Sequence, residues 1–439
     1  MSLSSRSVAI GLTAPFGSGC STAAGILRDR LGYSVFVLSD IIRDEWKRRY
    51  PRRRPQRSDL QALGNEIRIS AHNPGELAGR MLTNLESGTT YDKIVVDGIR
   101  NIGEIQTLRE HFGRNFYLIA LDCTTSDRFD RLPNVYQGED AFEKFTADNE
   151  RDRDQEDPFG QQVELCVDNS DVLINNDNSV TLTRLRSKLV DYVNLLTGES
   201  PRYARPEEIL MNLAYSASHG SKCLKRQVGA VLVDAPPSQL GEVVGQGFNE
   251  NPSVTMPCVE EPGYGADLKN GVPGRCYRDI VRYDSYRTLA NQRARCPNCG
   301  RAIAEPRTEE PPWKCVCCGS NLEKYFWPER AMSWCTAIHA EVAALLIAGL
   351  RARGATLYTT TFPCFQCAEK ITQAGVGSIV FNEVYPDIRA ADRLKIANIE
   401  VTRFEGIRSG RFDEIFSRAR PYIARQRTIL ATNRKEQQG

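Results

Sequence analysis

The chain has 439 residues, 41% of them apolar and 26% charged, with a formal net charge of +2. That length predicts two or three domains of an ordinary soluble protein, and the near-neutral balance gives no global signature of nucleic-acid or membrane binding. No run approaches the roughly 18 apolar residues of a membrane span, and no secretory h-region is present, so a cytoplasmic setting is expected. Fourteen cysteines is a high count there, and most lie between Cys223 and Cys367. In a reducing compartment, clustered cysteine pairs point to metal rather than to disulfides.

The first half alternates apolar strands with amphipathic helices. "VAIGL" from Val8 reads as a strand and "STAAGILRDRL" from Ser21 as a helix. Further strands are expected at "SVFVLSD", ending in Ser39 and Asp40, and at "KIVVDGIRN", "NFYLIALDC" and "DVLINND". This order predicts an α/β fold with a doubly wound parallel sheet. The turn after the first strand is that of a phosphate-binding P-loop. Gly17, Ser18, Gly19, Ser21 and Thr22 are small enough for backbone N–H groups to reach phosphate oxygens at a helix N-terminus. Against G-x4-G-K-[ST], Ala14 replaces the first glycine and Cys20 the lysine. Losing that charge removes transition-state stabilisation more surely than binding. A unit that binds or senses a nucleotide, with Mg2+ as its partner ion, is therefore expected in place of a working kinase.

The segments "GLTAPFGSGCST", "LSDIIRDE", "LQALGNEIR", "VVDGIRNIGEI" and "DVLINNDNS" resemble the nucleoside- and deoxynucleoside-monophosphate kinase group over about residues 6–195. The resemblance implies a monophosphate near Ser39, Asp40 and Arg43, and a second nucleotide near Asp97 and Arg100. It also implies a lid at "FTADNERDRDQ" carrying Arg151 and Arg153. The basic run "KRRYPRRRPQR", Lys47 to Arg57, reads equally as a phosphate or nucleic-acid patch and as a solvated loop.

Pro-punctuated "TGESPRYARPEE" marks a boundary between domains at 1–198 and 203–439. Beyond it, "EEILMNLAYSASHGS" reads as a helix, and "QVGAVLV" and "EVVGQGFN" as strands. "HAEVAAL" and "PCFQC" follow, each opening a helix, with the strand "ATLYTTTF" between them. His339, Cys364 and Cys367 offer one imidazole and two thiolates, which hold Zn2+ and leave its fourth position to water. The metal lowers that water's pKa to about 7. Glu341, in H-x-E, is not a ligand and is free to shuttle a proton. H-x-E with P-C-x-x-C is the zinc deaminase signature. A second set, Cys296, Cys299, Cys315 and Cys318, has the spacing C-x2-C-x15-C-x2-C of a structural zinc ribbon, an insertion over 285–330. Cys317 competes with Cys318, and the pair spacing favours Cys318. A ribbon can touch nucleic acid; a structural or oligomer-contact role is favoured here.

"CLKRQVGAVLV", "GQGFNENP" and "CTAIHAEVAAL" resemble the dCMP deaminase family over about residues 206–425, interrupted between about 258 and 330. "YP" at Tyr385 and Pro386 fits the same family. The resemblance implies a five-stranded cytidine-deaminase-like core, with Asn249 on the sugar and Tyr385 in the substrate site. Lys225 and Arg226 would face phosphate or an oligomer contact. Glu250 stands where the family usually has glycine. Together, the two halves resemble the bacterial anti-phage dCTP/dCMP deaminases. That resemblance implies conversion of dCTP or dCMP to the uracil nucleotide with loss of ammonia, draining dCTP during infection. It further implies a homo-oligomer, often a hexamer among such deaminases, and in some members a small regulatory RNA partner. The competing expectation is a base-editing deaminase acting on RNA or single-stranded DNA, with the same zinc chemistry.

Overall fold

The computed structural model describes residues 7–86, 91–153, 157–251, 290–304, 313–322, 337–385 and 387–418, with 276, 284, 287, 288 and 335 singly. Pro386 and much of the 258–330 insertion lie outside the described residues. Two compact units divide the chain. One gathers Met1–Ile209 with Arg403–Gly439, and the other is Leu210–Thr402.

The first unit is built on a six-stranded sheet in the order β11-β5-β4-β1-β3-β2. Its strands are β1 (Val8–Thr13), β2 (Ser34–Val37), β3 (Lys93–Asp97), β4 (Phe116–Asp122), β5 (Val172–Asn175) and β11 (Gly406–Ile407). β1 pairs in parallel with both β3 and β4, as β2 does with β3 and β4 with β5. The central strands are apolar almost throughout, as strands buried on both faces must be. Helices α1 (Cys20–Leu31), α2 (Leu38–Arg49), α3 (Arg57–Ala71), α4 (Glu76–Glu86), α5 (Ile102–Phe112), α6 (Thr125–Asp130), α7 (Ala141–Arg153), α8 (Val163–Asp168) and α9 (Leu182–Thr197) intervene. The second strand is shorter than its sequence suggests: Leu38, Ser39 and Asp40 already begin α2. Strand order reverses at β1, so the carboxyl ends of β1 and β3 form the crevice where ligands bind in open α/β sheets.

The sequence boundary assigned residues 403–439 to the second half, whereas β11 pairs antiparallel with β5 and completes the first sheet. Polar contacts hold the returning segment. Ile407 N donates to Glu208 at 3.0 Å, Arg408 donates to the carbonyls of Val167 and Asp168, and Arg411 to that of Phe116. Glu208, wholly buried, also takes both guanidinium arms of Arg202 at 2.7 Å.

α10 (Pro206–Ser218) carries the chain into the second unit. There the sheet order is β10-β9-β8-β6-β7, from β6 (Gly229–Asp234), β7 (Glu242–Phe248), β8 (Thr356–Thr361), β9 (Ser378–Glu383) and β10 (Glu400–Arg403). β8 and β9 are parallel, while β6 is antiparallel to both β7 and β8. The later helices are α11 (Ala340–Ala348), α12 (Phe365–Ala374), α13 (Ile388–Ile396) and, in the first unit, α14 (Ser409–Ser417). Ala340, Ala344 and Ala348 share one buried face of α11. That face lies so close to β7 that a Cβ on Gly247 would sit 2.6 Å from Ala344 N and 2.7 Å from Ala340 O. No helix among the described residues is long and apolar enough to cross a membrane.

Glu208→Ala removes the carboxylate that Arg202 pairs with and leaves the Ile407 and Arg205 amides without their acceptor. Breaking such a buried pair costs about 3–5 kcal/mol. The variant should therefore unfold at clearly lower urea concentration than the wild type, as followed by circular dichroism.

Candidate active site

His339 caps the N-terminus of α11 and Cys364 that of α12, so both metal-binding segments begin at a helix start. Cys367 lies in the first turn of α12 and Glu341 in the first turn of α11. The ligand atoms of His339, Cys364 and Cys367 all lie within 4.8 Å of one another. Cys367 Sγ is 3.2 Å and Cys364 Sγ 3.4 Å from His339 Nδ1. A tetrahedral zinc, with bonds of about 2.1 Å to nitrogen and 2.3 Å to sulfur, holds its ligand atoms roughly 3.6 Å apart. The three residues therefore fit that ion with little movement. Hydrogen bonding from Cys367 and the His339 ring hold the Cys364 thiol down to about 4, against the desolvation that opposes this. Glu341, 4% exposed, is raised above the usual carboxyl range by burial. Its Oε2 accepts from Cys367 Sγ at 3.6 Å. A buried carboxyl thus stands beside the site that would hold the metal.

The surrounding loops converge on this cluster. Glu250 and Ile338 exchange backbone hydrogen bonds of 3.1 and 2.7 Å, which bring Asn249 beside the His339 segment. Asn249 accepts from Val228 N at 2.7 Å and donates to Arg226 O at 2.9 Å, pinning the loop that carries Lys225 and Arg226. Lys225 is exposed. Arg226 is half-buried, its Nε 3.8 Å from Glu383 Oε2. Tyr385 packs against the core that contains Cys364 and Cys367.

The four ribbon sulfurs also lie within 4.8 Å of one another. Cys296 Sγ is 3.8 Å from Cys318 Sγ, and Cys299 Sγ 3.7 Å from Cys315 Sγ, the spacing of tetrahedral sulfur ligands. The two halves repeat one hairpin. Gly300 N donates to Cys296 O and Gly319 N to Cys315 O, both at 2.8 Å, and both glycines have positive φ. Cys317 is exposed and outside the set.

In the first unit, the loop after β1 turns at Gly17 (φ 90°) and Gly19 (φ 104°). Asn176 Nδ2 donates to Ser18 O at 2.7 Å and would lie 2.8 Å from a Cβ on Gly19. Ser21 Oγ donates to Asp97 Oδ2 at 3.0 Å. Burial raises Asp97 above the usual carboxyl range. Desolvation, then Asp97, push the Cys20 thiol well above its ordinary value, so it is neutral where the lysine would be charged. A cavity of about 900 Å³ opens here, lined by Gly17, Gly19, Cys20, Ser21, Thr22 and Asp97 among others. Arg43 lines it too, paired with Asp40 at 2.7 Å. Arg151, exposed, donates to Gln61 Oε1 at 3.3 Å. Arg153 ends α7, and its side chain lies outside the described residues.

Residues 205–383 match the cytidine and deoxycytidylate deaminase zinc-binding region. A deoxycytidylate deaminase of Schizosaccharomyces pombe is 25% identical over 407 residues, covering 90% of this chain and 97% of that protein. The deoxycytidylate deaminase of Enterobacteria phage T4 is 26% identical, covering 44% of this chain and 86% of its own. A UPF0200 protein of Halobacterium salinarum is 31% identical over 175 residues, 39% of this chain and 85% of that protein. The chain joins a UPF0200-family unit to a zinc-dependent nucleotide deaminase.

Two groups of residues in this deaminase escape a reading of motifs. Glu383, at the end of β9, accepts from Tyr215 Oη at 3.0 Å and Thr361 Oγ1 at 3.1 Å, and faces Arg226. Its partners come from three separate segments, so no local pattern marks it. The basic run, by contrast, is mostly matched to acids. Lys47 pairs with Asp44, Arg48 and Arg49 with Glu45, and Arg53 with Asp59. Arg57 also meets carboxylates, Asp152 and Asp148, and in addition lines the cavity of the UPF0200 unit.

Purified enzyme should carry two zinc ions per chain by atomic absorption. Cys318→Ser should lower the count to one, while Cys317→Ser should leave it at two.

Proposed function

We propose that the chain hydrolyses the 4-amino group of a free deoxycytidine nucleotide, dCMP or dCTP, taking up one water and releasing ammonia to leave dUMP or dUTP. The observation that carries this reading is the meeting of His339, Cys364 and Cys367 within ligand distance, with buried Glu341 against them. Bound Zn2+ would supply Lewis-acid activation of the attacking water. Glu341 would accept one proton from that water and deliver it to ring N3, then take the remaining proton from the C4 hydroxyl as C4=O forms and pass it to the amine, which leaves as ammonia as the C4–N bond breaks. Asn249 fixes the loop that presents Arg226, which, with Lys225, would meet the substrate phosphates. Tyr385 forms part of the base or sugar wall.

The relatives named deoxycytidylate deaminase support a deoxynucleotide substrate. Draining dCTP in anti-phage defence is the finer part of the proposal, supported by the two-unit resemblance alone. The UPF0200 unit, with Cys20 in place of the lysine, holds a nucleotide without transferring phosphate and so serves the deaminase as a sensor. Assembly into a homo-oligomer and control by a small RNA are carried over from the same resemblance.

Zinc-loaded enzyme incubated with each cytosine nucleotide should yield uracil nucleotide and ammonia, scored by chromatography. Glu341→Gln should lose roughly 100- to 10,000-fold in rate, the range of a general acid–base catalyst, while retaining its zinc. No ammonia from any cytosine mononucleotide, or faster reaction on a cytosine-containing oligonucleotide, would overturn the reading.

A further inference from the structure

The cavity of the UPF0200 unit is rich in arginine. Arg28, Arg43, Arg57, Arg68, Arg100 and Arg131 line it with Asp97, and carboxylates outside the lining pair with five of the six. A volume near 900 Å³ is within the range of small-molecule sites and admits a nucleotide. The loop after β1 and the start of α1 contribute Gly17, Gly19, Cys20, Ser21 and Thr22 to the lining. Arg57 and Arg100 also line it, and one carboxylate holds both. Asp152 Oδ2 accepts from Arg57 Nη2 and, at 3.0 Å, from Arg100 Nη1, while Gln61 donates to Asp152 Oδ1. Asp152 is 3% exposed and belongs to the last turn of α7.

Two guanidinium groups and an amide converging on one anion are the donors a phosphoryl group takes. A carboxylate brings a single charge and two oxygens to them. Arg57 is correspondingly under-served: its buried Nε makes no hydrogen bond among the described residues and lies 3.8 Å from Asp148, which already accepts from Tyr136. Its guanidinium also stacks 3.6 Å over the ring of Phe16, in the loop after β1. Burial, then the like charge of Arg100, lower its pKa, against the opposing pull of Asp152. Arg68 is differently placed, since Glu104, fully buried, neutralises it.

We propose that this cavity binds a nucleoside phosphate and that Asp152 occupies the place of one phosphoryl group, so that ligand entry requires the carboxylate, and with it the end of α7, to leave Arg57 and Arg100. The proposal rests on reading this unit as nucleotide-binding, and it adds a named competitor for the anion. Purines are the suitable probe, because a cytosine-specific deaminase site does not convert them.

Full-length, zinc-loaded enzyme titrated calorimetrically with AMP, ATP and pyrophosphate tests it. Asp152→Asn, which keeps the shape and removes the charge, should bind ATP or AMP at least about fivefold more tightly than wild type. Arg100→Gln should bind at least tenfold more weakly, and circular dichroism should report both variants folded. Should Asp152→Asn not fold, Asp152→Ser carries the same expectation. No binding of any probe to wild type or variant overturns the nucleotide reading and the proposal together. Binding to wild type that Asp152→Asn leaves unchanged or weakens overturns the competitor role while the nucleotide reading stands. Pyrophosphate bound as tightly as ATP overturns the nucleoside part.

Discussion

The closeness of α11 to β7 governs the deaminase unit. Gly245 and Gly247 present bare backbone to Ala340 and Ala344, and any side chain there would collide with the helix main chain. The helix begins at His339 and carries Glu341 in its first turn, so its depth against the sheet sets where imidazole and carboxyl stand. β8, two strands from β7 in the same sheet, leads into Cys364. Ligands contributed from two helix starts are aligned only if both elements seat fully. Closely packed interiors tolerate little displacement, and a catalytic constellation tolerates less.

The two units meet anions by different means. In the deaminase unit the clustered groups are an acid, two thiols and an imidazole in contact with one another, a donor set suited to a zinc ion. In the UPF0200 unit arginines predominate in the cavity, and carboxylates hold several of them in check, Asp40 from the same helix and Glu104 and Asp152 from other elements. Cys20 is neutral where the P-loop pattern has a lysine, while arginines elsewhere in the lining keep their charge. That distribution suits retention of a polyphosphate better than stabilisation of charge migrating during its transfer.

Much of this was legible in the sequence because the decisive signals are local. H-x-E and P-C-x-x-C each fall within one helical turn, and the ribbon pairs lie within single hairpins, so spacing alone announces the geometry. The parallel strands are apolar runs for a physical reason, burial on both faces. The contacts that escaped are those between distant segments. Asp152 stands 95 positions from Arg57 in the chain and reads as one more charge in a polar helix. Arg57 is indistinguishable by pattern from Arg53, which meets an acid at the surface. β11 spans only Gly406 and Ile407, too short to show alternation, and its pairing is decided by Glu208 and the β5 edge.

That short strand also orders events in time. Because the chain returns to β5 only after the whole second unit, the first sheet remains one strand short while residues 210–402 are being synthesised. An exposed parallel edge is a template for wrong pairing, and nearly two hundred residues must emerge before its own partner is available. The deaminase unit, in turn, folds as a loop whose two ends are anchored in another structure. A single backbone cleavage within it therefore leaves both fragments tied to one sheet, and the deaminase cannot be shed as a free domain by one cut.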